Sequence, residues 1–230
     1  MSSRALSQEA VTALDAGLDV ATHAIGDAAV ERTLDVYAAI LRERPQLPAR
    51  RLRIEHFSYA KPEDFGRAAA LGIVLVVNPD FVAPDDRGRA MEDARVGVGR
   101  SDRVYALGRL AAAGARLAFG SDSFTAPAEP LLRFHAATTR QNGRGLPAEG
   151  WHPGESLSRE QSLLIQARLW PAGGGAPERG GLAVGGRADL VVLSADPLTV
   201  EASASHGIDV EATFLDGEVT HGRPPGQRRR

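Results

Sequence analysis

The chain has 230 residues, which is long enough for one domain or for one domain with a small appendage. Hydrophobic residues make up 43% of it and charged residues 24%, a balance that argues against a disordered chain. The net charge of −2 gives no electrostatic reason to expect nucleic acid or a membrane surface as a partner. The sequence contains no cysteine, which excludes thiolate metal sites and thiol nucleophiles. This composition fits a reducing compartment, and we expect a cytoplasmic protein.

Short β-forming runs alternate with helical patterns through the first three quarters of the chain. Strands are predicted at 18–23, 51–56, 73–78 and 116–122. Helices are predicted at 7–16 (capped by Ser7), 26–44, 62–71, 101–113, 129–140 and 158–169. The run at 73–78 is apolar without alternation, which is typical of a strand covered on both faces. Four strand–helix units in series predict a parallel α/β sheet or barrel.

The pattern of the sequence changes near residue 176. Glycine-rich connections now separate the short strand-like runs 188–194, 209–217 and 218–222, with no helical pattern between them. We therefore predict an α/β domain over residues 1–175, a β-structured domain over 176–222, and a disordered basic tail at 223–230.

Polar residues that can bind a metal follow the predicted strands. His23, His56, Asn78 and Asp122 lie at four successive strand ends, and such ends meet at one edge of a parallel sheet. Neutral imidazoles and ionised carboxylates are good ligands for first-row divalent metals. Each residue alone is more often an ordinary loop residue or helix cap. Together, His23, His56 and Asp122 favour a metal site.

The local motifs sharpen this interpretation. The segments THAIGDAAVERTLD (22–35), RLRIEHF (51–57), LAFGSD (117–122) and GGRADLVVLSADPL (185–198) occur in this order. Together they closely resemble the amidohydrolase superfamily, in particular its family-3 metal-dependent hydrolases, which include amide and formamide hydrolases. The resemblance implies strands five to eight of a TIM-type (β/α)8 barrel over residues 1–175. It implies part of a small β-sandwich domain over 176–222.

The resemblance also implies roles for individual residues. His23 and His56 match the family's metal-binding histidines of strands five and six. Asp122 matches the strand-eight aspartate, which contacts the metal and takes a proton from the attacking water. The implied cofactor is a divalent metal, with Zn²⁺ expected, and the implied substrate is a small molecule with an amide or formamide-type C–N bond.

Three further residues are candidates for substrate binding. Asp27 either contacts substrate, orients His23, or serves as a first-turn acid of the long helix, and the last alternative is favoured. Asn78 and Asp80 either line the pocket or shape the turn after the third strand. Glu55 is expected to point away from the site because side chains alternate along a strand.

Parts of the family pattern are missing from this sequence. There is no His-x-His pair of the kind that ends the family's first strand, and Lys61, the single lysine, lies after strand six rather than on strand four. A complete barrel takes about 250 residues, so four units correspond to half of one. We therefore expect the C-terminal half of a longer hydrolase.

Two other interpretations stay open. The chain is either an inactive remnant or a split-enzyme subunit whose barrel is completed by another polypeptide, with a homodimer as a further way to close the sheet. A self-contained four-stranded binding domain also fits the strand–helix rhythm, but it leaves the His, His and Asp set unexplained.

Overall fold

A computed structural model describes residues 1–81, 94–97, 99–169 and 180–223 of the chain. The predicted domain boundary at 175–176 and residues 224–230 of the predicted tail lie outside the described residues. No helix in the described part is long and apolar enough to cross a membrane.

The first sheet has four parallel strands in the order β1-β2-β3-β4. The strands are β1 (Val20–Ala24), β2 (Leu52–His56), β3 (Val74–Val77) and β4 (Arg116–Phe119). Their sequential order and parallel direction confirm the predicted strand–helix repeat, because parallel neighbours need a crossover connection. The α/β fold class is confirmed, whereas the assignment to barrel strands five to eight and to part of a sandwich stays a prediction.

Six α-helices that lie wholly within the described residues accompany the strands. They are α1 (Ser3–Asp15), α2 (Asp27–Glu43), α3 (Pro62–Leu71), α4 (Leu107–Ala112), α5 (Pro130–Thr139) and α6 (Arg159–Leu164). The predicted start of the first helix is wrong: the Ser2 side chain accepts a hydrogen bond from Ala5 N at 3.2 Å, so Ser2 is the cap and Ser7 lies inside the helix.

Two other predicted helices differ from the structure. The segment 101–113 splits into a 3₁₀ turn at Ser101–Arg103 and the helix α4. Between them, Val104 pairs with Tyr59 in an isolated antiparallel bridge and Tyr105 has a φ of 49°, which interrupts a right-handed helix. The segment 158–169 changes from α6 to π-helix at Ile165–Leu169.

Hydrophobic side chains cover both faces of the sheet. The larger core cluster joins helix residues such as Leu34 and Tyr37 to strand residues such as Ile54 and Leu75, all with no exposed surface. Val74, Val76 and Ala118 form a second cluster. All four residues of β3 are buried, which agrees with the uninterrupted apolar run in its sequence.

The last part of the described chain forms a three-stranded antiparallel sheet. Its strands are β5 (Leu190–Leu193), β6 (Val210–Leu215) and β7 (Glu218–Gly222), in that order. Arg159 at the start of α6 donates to the carbonyls of Leu198 (3.0 Å) and Val200 (2.6 Å). The side chain of Arg159 therefore attaches the segment between β5 and β6 to the helices of the first sheet.

Candidate metal centre

Two histidines meet at the carboxyl edge of the parallel sheet. His23 lies near the end of β1 and His56 is the last residue of β2. Their ring centroids are 4.6 Å apart, with the rings inclined by 75°. His23 is exposed, whereas His56 is only 8% exposed. The structure thus brings together two of the three predicted metal ligands.

The backbone of His56 explains how the two rings come to share a face. His56 lies opposite Ala24 in the β1–β2 register, and paired residues of parallel strands point to the same face of the sheet. Ala24 is buried, so strand alternation alone would direct the His56 side chain, like that of Ala24, toward the helices. His56 instead has a φ of 76°, which rotates its Cβ by roughly half a turn about N–Cα relative to an extended residue. Such a conformation costs about 1–3 kcal/mol and clusters at functional sites.

The same backbone turn corrects the expectation for Glu55. Its Cα lies opposite that of His23 in the β1–β2 register, so the Glu55 side chain shares the face of His23 and does not point away from the site. Glu55 forms an ion pair with Arg53 at 2.7 Å.

Asn78 holds His56 in one tautomer. The Asn78 Nδ2 amide donates to the carbonyl of Gly120 at 2.9 Å, and a carbonyl only accepts, so Asn78 Oδ1 faces His56 Nδ1 at 2.9 Å. Nδ1 of His56 therefore carries the proton. The lone pair of the neutral ring is left on Nε2, where it can bind a metal.

Gly120 is the position that lets Asn78 reach across the sheet. A Cβ at residue 120 would lie 2.8 Å from Val76 Cγ1 and 3.6 Å from Asn78 Nδ2. Only a residue without a side chain fits the backbone at this distance. The glycine of the GSD motif is therefore a packing requirement of the site.

Asp122 and Asp80 form the acidic side of this edge. Asp122 is exposed and lies just beyond β4, with a φ of 51°. The Asp80 side chain is 4% exposed, with Oδ2 3.9 Å from Arg133 Nη1. Burial raises the pKa of Asp80 to about 6; Arg133 opposes this and the Asp122 charge adds to it. The two carboxylates thus influence one another.

The described residues contain no cluster of three or more histidine, aspartate or glutamate side chains arranged to hold a metal ion. The structure therefore does not gather Asp122 and the two histidines into one such cluster, and the metal-binding role of Asp122 stays a prediction. Asp27 is the first residue of α2 and its Oδ1 accepts a hydrogen bond from Ala28 N at 2.8 Å, which agrees with a first-turn acid. Substrate contacts by Asp27, Asn78 and Asp80 stay predictions.

A cavity of about 480 Å³ opens beside His56. Besides His56, its lining includes Asp27, Tyr59, Arg95, Arg100, Arg103 and Tyr105. The tyrosines and arginines were not predicted as site residues, because nothing in their local sequence distinguishes them from surface residues. His23 opens instead onto a second hollow of about 570 Å³ between β1 and the first two helices.

Comparison with known proteins agrees with this fold. A model of the amidohydrolase family matches residues 1–221, and the chain therefore belongs to the amidohydrolase family. It is 28% identical over 221 residues to an N-substituted formamide deformylase from Arthrobacter pascens, covering 93% of this chain and 38% of that protein. It is 32% identical over 221 residues to the protein LONG AFTER FAR-RED 3 of Arabidopsis thaliana, covering 93% and 36%.

A solved structure shows the same likeness in three dimensions. An uncharacterized metal-dependent hydrolase from Pyrococcus horikoshii superposes with a TM-score of 0.75 at 31% identity, covering 90% of this chain and 40% of that one. The chain therefore spans about two fifths of the length of the relatives it matches.

Proposed function

We propose that this chain is part of a metal-dependent hydrolase that cleaves an amide or formamide-type C–N bond in a small molecule. The observation that carries the proposal is the pair of adjacent imidazoles, His23 and His56, with the His56 tautomer fixed by Asn78. Membership of the amidohydrolase family and the likeness to a formamide deformylase support the choice of bond.

The donor set fits a divalent metal in part. His23 and His56 supply two imidazoles at one sheet edge, and Nε2 of His56 is available as a donor. Imidazole donors suit Zn²⁺, so zinc is the metal that we propose. When bound, such a metal polarises the scissile carbonyl and lowers the pKa of a water molecule toward 7. Asp122 is the third ligand that we propose, and two imidazoles with one carboxylate would leave room for further ligands.

The residues of this chain would act around that reaction centre. We assign to Asp122 the acceptance of a proton from the attacking water, because it is an exposed carboxylate at the end of β4. Asn78 keeps the proton of His56 on Nδ1. Asp80, which feels the charge of Asp122, lies 3.9 Å from Arg133. Arg133 also donates to the carbonyls of Pro127 (3.2 Å) and Ala128 (3.0 Å), and so holds the segment that follows Asp122.

A second candidate function follows from the small number of clustered ligands. The described residues bring two imidazoles together, so hydrolysis would need further ligands, in this polypeptide or in another. We therefore keep a split-enzyme subunit, or an inactive remnant, as the alternative. An activity that appears when an amino-terminal half bearing the remaining ligands is added would favour the split enzyme over the remnant.

The experiment that tests the hydrolase compares Asp122→Asn with the unchanged protein, each completed with an amino-terminal half that supplies the remaining ligands. We expect the variant to lose most turnover of an N-substituted formamide while keeping its metal content, since asparagine cannot accept the proton. Asp209→Asn, in the β-structured part, serves as the control. Near-normal turnover of Asp122→Asn would remove Asp122 as the base, and no turnover by the completed enzyme would refute the function.

A further inference from the structure

Two histidines outside the candidate metal centre also lie against each other. His135 is on α5 and has no exposed surface, whereas His206 is an exposed residue of the 3₁₀ segment Ala202–Gly207, which lies between β5 and β6. Their ring centroids are 4.7 Å apart, with the rings inclined by 62°. The pair therefore joins a helix of the first sheet to the β-structured part of the chain.

The surroundings of His135 place a proton on its Nδ1. This nitrogen lies 3.1 Å from Ala202 O and 3.1 Å from Ser205 Oγ. A carbonyl oxygen only accepts, and the Ser205 hydroxyl donates its own hydrogen to Ala202 O at 2.8 Å, so both neighbours of Nδ1 act as acceptors. The neutral ring therefore carries its lone pair on Nε2. Donation from the other ring nitrogen to a backbone carbonyl is the usual arrangement of a metal-binding histidine.

The free nitrogen of this ring is a buried polar atom. Nε2 of His135 is buried and has no hydrogen-bond partner among the residues that the structure describes. A buried polar atom that stays unpaired costs free energy, and such atoms are rare in native folds. A proton on Nε2 would bring an equally unpaired N–H group, whereas a metal ion would use the lone pair directly.

The separation of the two rings fits coordination of one ion. Zinc lies about 2.0–2.1 Å from an imidazole nitrogen, so two imidazoles on one tetrahedral ion have ring centres about 5 Å apart. The centroids of His135 and His206 are at this spacing, and those of His23 and His56 in the candidate metal centre are 4.6 Å apart. Because His206 is exposed, an ion can reach the pair from solvent.

The pair lies on a different side of α5 from the candidate metal centre. Arg133, two residues before His135, extends toward Asp80, with 3.9 Å between its Nη1 and the Asp80 carboxylate. Side chains two residues apart on an α-helix point in nearly opposite directions. His135 therefore faces the segment Ala202–Gly207 and not the acidic side of the sheet edge.

We propose that His135 and His206 form a second metal site, which takes a divalent first-row ion that prefers imidazole, such as Zn²⁺. Its protein ligands are Nε2 of His135 and one ring nitrogen of His206. The described residues hold no cluster of three such side chains, so water completes the coordination. The ion holds the segment Ala202–Gly207 against α5 and so stabilises the contact between the β-structured part and the helices. The proposal does not rest on the hydrolase function.

The test is a Zn²⁺ titration of the full 230-residue chain, in which NMR follows the Cε1–H signals of its six histidines. We expect the signals of His135 and His206 to change together, and amide hydrogen exchange in residues 202–207 to slow. His206→Ala should weaken Zn²⁺ binding at His135 at least about tenfold, because one of two linked ligands is lost. Since His206 is exposed, this variant should keep the fold. His221→Ala, which removes an exposed histidine of β7, is the matched control and should change neither readout.

The proposal would be overturned if the His135 signal did not respond to millimolar Zn²⁺, or if its response were the same in His206→Ala. An equal loss in His206→Ala and His221→Ala would also overturn it, because that result indicates unspecific binding to surface histidines. The signals of His23 and His56 report on the candidate metal centre in the same titration. A response of His135 and His206 without one of His23 and His56 would support the second site and count against the first.

Discussion

At His56 the backbone enters the left-handed region at the last residue of β2, and this one angle decides which side chains share a face. The spacing of the sequence predicted a histidine at a strand end. It did not predict that the ring would reach His23, because that depends on a φ that histidine adopts only when its surroundings enforce it. The Asn78 hydrogen bond shows the same limit: the residue was predicted at this edge, but its acceptor on Gly120 lies 42 positions away along the chain.

We expect Asn78→Ala to release the His56 tautomer. Without the Asn78 Oδ1 acceptor, the His56 ring is free to place its proton on Nε2, which removes the metal-binding lone pair. Nitrogen-15 NMR of the imidazole should show Nδ1–H in the unchanged chain and a mixture in the variant. Zinc affinity measured by calorimetry should fall about 10- to 100-fold. Asn142→Ala, whose side chain accepts from Arg144 N at 2.9 Å, is the control, and an Nε2–H tautomer in the unchanged chain would contradict the assignment.

Asp80 should make the free energy of unfolding depend on pH. Its pKa in the folded chain, about 6, lies above the ordinary value of 3.8 because of burial, so the folded state holds more protons than the unfolded state between these values. The contribution of Asp80 to stability is therefore complete below about pH 4 and is lost as the pH rises through 6. Each unit of difference in pKa corresponds to about 1.4 kcal/mol.

The measurement is urea unfolding at several pH values between 4 and 7 for the unchanged chain and for Asp80→Asn. We expect the stability of the unchanged chain, relative to the variant, to decrease as the pH rises, because asparagine has no proton to lose. The exposed residue Asp27 provides the control, Asp27→Asn. A constant difference between the unchanged chain and Asp80→Asn would show that Asp80 has an ordinary pKa.

At the scale of the elements, β3 and the end of β4 can approach closely near the site because residue 120 is a glycine. The fold of the four strand–helix units was largely predictable, because apolar runs and prolines mark α3 at 62–71 and the long helix α2 directly in the sequence. The positions at which predicted helices are interrupted were not predictable. The split of the segment 101–113 depends on the bridge from Val104 to Tyr59, a partner far away in the sequence.

Two Gly→Ala substitutions should have opposite effects on stability. Gly120→Ala introduces a Cβ 2.8 Å from Val76 Cγ1, so we expect destabilisation of about 1–3 kcal/mol from overpacking. Gly66 lies inside α3 with no atom within 4 Å of its ideal Cβ position, so Gly66→Ala should stabilise the chain by about 0.4–1 kcal/mol. Unfolding in urea measures both effects, and equal signs for the two would contradict this account of the sheet.

At the scale of the whole molecule, the four-stranded sheet has two open edges. Within the described residues, β1 pairs only with β2, and β4 pairs only with β3. Unpaired strand edges attract further strands, and His23 and Ala21 on β1 are exposed. We therefore expect the isolated chain to associate with a second copy, or to aggregate, unless another polypeptide covers the sheet.

Sedimentation velocity over a range of protein concentrations tests this expectation. We predict a dimer or larger species at micromolar concentration, and a return to a single smaller species when an amino-terminal half of the hydrolase is added. A monodisperse monomer that unfolds cooperatively in urea would show that the open sheet is stable without a partner.

The sequence by itself determined the alternation of strands and helices. It also predicted a change to β structure near residue 176, a boundary outside the described residues, and the candidates His23, His56 and Asp122 at the strand ends. Each of these follows from local periodicity or motif. Only the tertiary structure decided that His56 turns toward His23, that Asn78 fixes its tautomer and that three arginines line the adjoining cavity. These features depend on contacts between residues far apart in the chain, and local sequence preferences do not predict such contacts.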